Sequence, residues 1–223
     1  MRPFDVLTFD CYGTLIDWES GIGESIAAAA RADGVETDRS RILAIHAEVE
    51  PLIQSDAYRP YREVLAEVAL AVAQRLDWPL ERERARYLAD GLPGWRVFPD
   101  TNPALTRLKR AGYRLGILSN VDDDLLAGTR KQFAVDFDFL VTAEQVRSYK
   151  PARPHFDRAR ELIGDAPWLH VAQSYFHDIE PASRLGLPVA WVNRKRELPG
   201  AVTPIATEVT DLTQLLLWLE ARG

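Results

Sequence analysis

From residue 101 onward, apolar runs and helical stretches take turns, and that alternation constrains the fold more than any other property of the chain. Helical patterning over 101–111 gives way to a strand-like run at 114–118, and helical patterning over 122–133 to a run at 137–142. The series continues with helices over 153–163 and 179–185, interleaved with runs at 169–172 and 188–192. Strands separated in this way pair in parallel, so an α/β fold is expected, its parallel sheet covered by helices on both faces. An earlier run, Val6, Leu7 and Phe9, reads as the opening strand, and Leu215, Leu216 and Leu219 mark a packing stripe on a last helix.

Between the opening strand and the alternating half, about 18–92, only helical periodicity is visible. Ile42, Ile45, Val49 and Leu52 form one apolar stripe, and Tyr61, Val64, Val68 and Val72 a second, with Pro51, Pro60 and Pro79 near expected helix boundaries. Such a block is a second lobe. The expected organisation is a discontinuous core of residues 1–16 and 95–223 and an inserted helical cap of residues 17–94. The connections near Asp17 and at Gly91-Leu92-Pro93-Gly94 are candidate hinges.

Asp10 lies where the first strand breaks into a glycine turn, Phe9-Asp10-Cys11-Tyr12-Gly13-Thr14-Leu15. In open parallel sheets, ligands bind at the carboxyl ends of the strands, which makes this carboxylate a candidate reactive group; capping a turn is the competing role. Gly13 permits the tight turn, and Thr14 offers a hydroxyl to whatever the carboxylate faces.

Three further polar clusters follow later strands and should reach the same sheet edge. Ser119 and Asn120 can hold an anionic oxygen or leaving group, or cap the next helix. Lys150, before Pro151, would keep Asp10 ionised if the two met. Asp178, at the end of Gln173-Ser174-Tyr175-Phe176-His177-Asp178, can orient Lys150, position a water, bind a metal, or start a helix. Asp122, Asp123 and Asp124 are read as residues at a helix start rather than as a metal site. The four histidines show no zinc-ligand spacing.

Composition excludes several classes. The chain has 223 residues, 47% hydrophobic and 27% charged, with a net charge of -6. Its pI near 5.3 speaks against a nucleic-acid or anionic-membrane surface. No apolar run approaches the roughly 20 residues of a membrane span, and residues 1–5 lack a signal-peptide core, so a cytoplasmic protein is expected. A single cysteine, Cys11, allows no internal disulfide. Trp18, Trp95 and Tyr12 could line an apolar pocket between the lobes.

The four clusters, in this order and spacing, resemble the haloacid dehalogenase superfamily over essentially the full length, and are most similar to its type II 2-haloacid dehalogenases. The resemblance implies a Rossmann-like, doubly wound core with a mobile helical cap, and an aspartate that becomes esterified during turnover. It implies Asp10, Thr14, Ser119, Lys150 and Asp178 as catalytic residues. Cys11, Tyr12, Asn120, Ser174, Tyr175 and His46 are the expected substrate contacts. The phosphatases of the superfamily carry a second aspartate two residues after the nucleophile, where this chain has Tyr12. Halide leaves without a proton whereas an alkoxide needs one, so the resemblance points to hydrolytic dehalogenation of a small 2-haloacid with no cofactor required.

The alternatives are a Mg2+-dependent small-molecule phosphatase, holding the ion through Asp10, the Tyr12 carbonyl and Asp178, or a non-catalytic binding protein on the same fold. The sequence departs from the dehalogenases at the cap, where the arginine for the substrate carboxylate is missing; His46, Arg41, Arg59 or Arg62 are the candidate substitutes. It departs again at Gln173, Tyr175 and Phe156, near the expected hydrolytic water. A small-molecule substrate is expected, with no nucleic-acid or membrane partner, and a homodimer is left open.

Overall fold

The apolar runs become the strands of one sheet in the computed structural model of the protein, which describes residues 2–55, 57–199 and 203–223. Six strands, β1 (Val6–Phe9), β2 (Arg114–Ser119), β3 (Phe139–Thr142), β4 (Trp168–Ala172), β5 (Val189–Val192) and β6 (Thr207–Val209), are ordered β3-β2-β1-β4-β5-β6. Every pairing is parallel. From β1 the chain winds outward through β2 and β3, then crosses back and winds the other way through β4, β5 and β6. This is the Rossmann-like, doubly wound order, and β1 is its switch point, where ligands settle beyond the strand ends. Phe9 pairs with Ile117 on one side and Val171 on the other, so Asp10 leaves the sheet between the ends of β2 and β4.

Side chains alternate between two buried faces. Leu7, Phe9, Leu115, Ile117, Leu169 and Val171 join one apolar cluster with Leu105 of α5 (Thr101–Arg110) and Leu215 of α10 (Leu212–Glu220). Val6, Leu118, Trp168, Ala172 and Trp191 join the other, with Phe156 of α8 (Pro154–Ile163) and Ala182 of α9 (Glu180–Arg184). Both faces are covered, which is why the strands read as continuous apolar runs.

Several boundaries differ from the sequence expectation. The helix expected over 122–133 is α6 (Asp123–Thr129) followed by a 3-10 turn, Arg130–Gln132. Strand β3 begins at Phe139, just after Asp138, whose carboxylate accepts the Leu115 N–H at 2.6 Å. Residues Tyr175–Ile179 form a π turn that leads into α9, and the short α7 (Ala143–Val146) and strand β6 were not foreseen.

The inserted helices are α1 (Trp18–Ala32), α2 (Arg39–Gln54), α3 (Tyr61–Arg75) and α4 (Tyr87–Gly91); α1 packs on α2, α2 on α3 and α3 on α4. Tyr61, Val64, Val68 and Val72 are all buried as their spacing requires. On α2 the buried stripe is Ile42, His46 and Val49, whereas Leu52 is 67% exposed, and Pro51 sits within the helix rather than at its end. The two connecting segments run beside each other: Ile16 and Val97 form an antiparallel bridge, and the Phe98 N–H donates to the Leu15 carbonyl at 3.0 Å.

The core also caps a helix of the insertion. Pro60 cannot cap α3 with its side chain, and Asp122 does so from the loop after β2, accepting the Tyr61 and Arg62 N–H groups at 2.7 and 3.0 Å. Nearby, the Tyr149 hydroxyl donates to the Arg59 carbonyl at 2.8 Å. No described helix is long and apolar enough to cross a membrane.

Gly21 of α1 lies directly against Trp95, in the segment that re-enters the core. A Cβ there would fall 2.2 Å from Cγ of Trp95, a ring that is itself buried. Gly21→Ala is therefore expected to displace Trp95 and to lower stability by about 1–3 kcal/mol, the usual cost of overpacking, as read by urea denaturation.

Candidate active site

The turn after β1 holds Asp10 in place. Gly13 adopts φ 104°, a backbone state that disfavours side chains, and a Cβ there would meet Gln173 Oε1 at 3.0 Å. That close approach lets the Gln173 N–H donate to Thr14 Oγ1 at 2.9 Å while the Thr14 hydroxyl donates to Asp10 Oδ2, also at 2.9 Å. The Asp10 N–H is taken by the Val171 carbonyl.

Lys150 reaches the same point from the turn after α7. Its ammonium donates to Asp10 Oδ1 at 3.0 Å, to the Leu118 carbonyl at 2.9 Å and to Asp178 Oδ1 at 2.6 Å, so all three protons are committed inside the protein. Asn120 fixes the lysine by its backbone, donating to the Lys150 carbonyl at 3.1 Å and accepting the Lys150 N–H at 2.7 Å.

Behind Asp178 runs a buried polar chain through the sheet. The Trp168 indole donates to Thr8 Oγ1 at 2.6 Å, Thr8 meets His170 Nδ1 at 2.8 Å, and His170 Nε2 meets Asp178 Oδ1 at 3.0 Å. The donors run in one direction if Thr8 donates to Nδ1 and the imidazole proton sits on Nε2, the tautomer that this set of partners selects. Asp178 Oδ2 and Ser119 Oγ are buried without a partner among the described residues.

The two carboxylates share one cation yet differ. Burial raises the Asp10 carboxyl above its ordinary value, with Lys150 pulling against it and Asp178 adding to it. At Asp178 burial also pushes upward, but the Lys150 ammonium and the His170 contact outweigh it and bring the group down to about 2. Burial holds His177 below the usual imidazole range.

A cavity of ≈ 140 Å³ opens above these groups. Its floor is Asp10, Ser119, Asn120, Lys150 and Asp178, and Gln173, Ser174 and His177 close one side. The rings of Tyr12, Trp18, Tyr61 and Trp95 form walls, and α2 contributes Glu50 and Gln54. Ser174 Oγ caps the π turn by accepting the His177 N–H at 3.1 Å and lies 3.0 Å from His177 Nδ1, which places His177 and Asp178 at the cavity.

Of the residues singled out from sequence, the structure brings Asp10, Tyr12, Ser119, Asn120, Lys150, Ser174 and Asp178 to this cavity, with Thr14 directly behind Asp10. Cys11, Tyr175 and His46, read as substrate contacts, do not line it. Cys11 is buried, and burial pushes its thiol well above the ordinary range. Tyr175 packs edge-on against Trp191 at 4.9 Å, and His46 lies against the Trp18 ring at 5.3 Å.

The arginines considered for a substrate carboxylate point elsewhere: Arg41 to the Arg75 carbonyl, Arg59 to Glu67 and the Ile53 carbonyl, and Arg62 to Asp122 and Asp124. Glu50 and Gln54 were missed. Their signal was present, since His46, Glu50 and Gln54 recur every fourth residue on one face of α2.

The carboxylates named for Mg2+ are largely hydrogen-bonded within the protein. Three of the four oxygens of Asp10 and Asp178 are engaged by Lys150, Thr14 or His170, and no group of three or more His, Cys, Asp or Glu side chains among the described residues is arranged to hold a metal.

Comparison with known proteins places this geometry in context. The profile of the haloacid dehalogenase-like hydrolases matches residues 4–186. An (S)-2-haloacid dehalogenase of Pseudomonas putida is 26% identical, with 98% of each chain covered. Haloacetate dehalogenase H-2 of Moraxella sp. (strain B) is 24% identical over 87% of this chain and 88% of its own. Among solved structures, an L-2-haloacid dehalogenase superimposes with TM-score 0.85 at 24% identity, covering 97% of this chain and 99% of that one. The Xanthobacter autotrophicus L-2-haloacid dehalogenase with chloropropionic acid covalently bound does so with TM-score 0.82 at 20% identity, covering 99% and 100%.

Lys150→Met leaves two buried carboxylates without a cation and is expected to cost about 3–5 kcal/mol near neutral pH. In the wild type, the depressed Asp178 contributes stability that is present above the unfolded value of about 4 and is lost as pH falls toward 2. With the cation gone, burial is expected to raise both carboxyls, so the penalty should be full at neutral pH and fade as they take up protons in acid. Urea denaturation from pH 7 down to pH 3 reads the convergence of the two curves.

Proposed function

The chain belongs to the haloacid dehalogenase-like hydrolases, and from that premise we propose that it hydrolyses a carbon–halogen bond beside a carboxyl or carboxyl-derived group, the chemistry for which its curated relatives are named as 2-haloacid and haloacetate dehalogenases. One observation carries the reading. Asp10 sits at the floor of the cavity with no proton donor where a phosphatase needs one, because that position is Tyr12. Burial raises the Tyr12 phenol well above its ordinary value, and its hydroxyl is already engaged with Thr129 at 2.8 Å. A halide departs as a stable anion and needs no such acid.

In the proposed reaction, an oxygen of ionised Asp10 attacks the halogen-bearing carbon from the side opposite the halogen. The carbon–halogen bond breaks, halide leaves with the electron pair, and an aspartyl ester remains. Lys150 holds the carboxylate in its attacking orientation, and Ser119 Oγ is positioned to donate to an oxygen of the substrate. Water then attacks the ester carbonyl, with Asp178 Oδ2 as the acceptor that orients it. One proton of that water goes to the departing alkoxide, which leaves as the hydroxy product, and the other is released to solvent; Asp10 is restored as a carboxylate with one oxygen from water, and configuration at the carbon is inverted.

Halide release from both enantiomers of 2-chloropropionate, with and without chelator, tests the class; chelator-sensitive phosphate release from an aryl phosphate in place of halide would overturn it. Asp10→Asn is expected to remain folded and lose turnover. A single turnover in 18O-water should place the label in the peptide containing Asp10, and its absence there would remove the ester from the scheme. Thr14→Val should lower kcat/KM by about tenfold or more, since a hydrogen bond to a charged group is worth about 1.5–3 kcal/mol. Thr14 lowers the Asp10 value, so its loss should also move the acid limb of the pH–rate profile upward.

A further inference from the structure

The cap side of the cavity carries the wrong charge for a carboxylate. The arginine that the resemblance leads one to expect is absent from the stretch 42–48 of α2, and just beyond it the helix presents the Glu50 carboxylate to the cavity. Its Oε1 accepts from the Tyr61 hydroxyl at 2.8 Å and from Gln54 Nε2 at 3.1 Å, while Oε2 keeps only a 3.6 Å approach to His46 Nε2. Around it, Trp18, Trp95, Tyr12 and Tyr61 present aromatic rings to the same ≈ 140 Å³ space, Tyr12 and Trp95 standing edge-to-face at 6.2 Å.

Among the described residues, Lys150 is the one lysine or arginine lining the cavity, and its three protons are spent on Asp10, Leu118 and Asp178. A second carboxylate brought to this wall would meet like charge with no counter-ion. Aromatic faces joined to a carboxylate offer the opposite preference, because the negative ring faces and the acid both attract a compact, weakly hydrated cation.

We propose that the part of the substrate reaching the cap is cationic, a quaternary (N-alkylated) ammonium group held between Glu50 and the aromatic walls, so that the substrate class is a 2-halo acyl compound bearing such a group. This rests on the dehalogenase reading only for the reacting end; the recognition of the cation stands on the cavity itself.

Three probes of similar shape separate the possibilities: tetramethylammonium, tert-butanol and trimethylacetate, each titrated at constant ionic strength against the fluorescence of the protein, in which Trp18 and Trp95 line the site. The expected result is saturable binding of tetramethylammonium at least tenfold tighter than of the other two, with the preference lost in Glu50→Gln and retained in Asp10→Asn. Binding of trimethylacetate as tight as that of the cation, no saturable binding of the cation, or an unchanged preference in Glu50→Gln would overturn the proposal. Loss of the preference in Asp10→Asn instead would put the cation on the floor and overturn it equally. None of these readouts requires turnover. A protein that binds the cation but releases no halide would refute the reaction while leaving the recognition intact.

Discussion

A single buried ammonium organises the molecule's polar interior. Lys150 is 2% exposed, and its head group would be prohibitively costly to desolvate alone. It is tolerated because two carboxylates and a carbonyl take its three protons, and those partners come from three separate strand ends: Asp10 after β1, Leu118 in β2, and Asp178 beyond β4. The lysine is satisfied only where β1, β2 and β4 bring their ends side by side. Fold and site are thus the same constraint seen from two sides, which is why Asp10 meets its cation at the switch point.

Sharing one cation does not make the two carboxylates equivalent. Asp178 also takes the His170 contact, backed by Thr8 and Trp168 through the sheet, and its charge is stabilised well below the ordinary range. Asp10 has only the Thr14 hydroxyl and the longer lysine contact, and burial dominates. In the proposed reaction the less stabilised carboxylate is the one suited to act as nucleophile, while the more stabilised one keeps its charge and an Oδ2 without a partner among the described residues for orienting water. The sheet-spanning network is what makes the two carboxylates differ.

What could be read from the sequence followed from periodicity and from strand ends. Runs such as 114–118 and 169–172 became strands, and the polar residues after them converged as parallel strands require. Three things resisted such reading. Cys11 and Tyr12 are adjacent, yet one faces the core and the other the cavity, because the turn fixed by Gly13 sets their directions. Thr8 and His170 were hidden inside apolar strands, where their partners are set by cross-strand register. Asp122 looked like a residue of its own helix start, but its carboxylate caps α3, sixty residues earlier in the chain. Long-range polar pairing leaves no local pattern, whereas the helical stripe of His46, Glu50 and Gln54 did leave one and was masked by the apolar stripe beside it.

Tyr61 links the seating of the cap to the lining of the cavity. Its N–H is held by Asp122 of the core, and its hydroxyl is held by Glu50 of α2, so a single residue spans from the loop after β2 to the charged wall. Arg62 reinforces the first contact by donating to the same Asp122 carboxylate at 3.2 Å. The Asp122 contact thus fixes the first turn of α3, from which the Tyr61 hydroxyl reaches the Glu50 carboxylate. The seating of α3 on the core and the Glu50 wall of the cavity are accordingly joined through the two hydrogen bonds of one residue, and the proposed cation would sit at the α2 end of that connection.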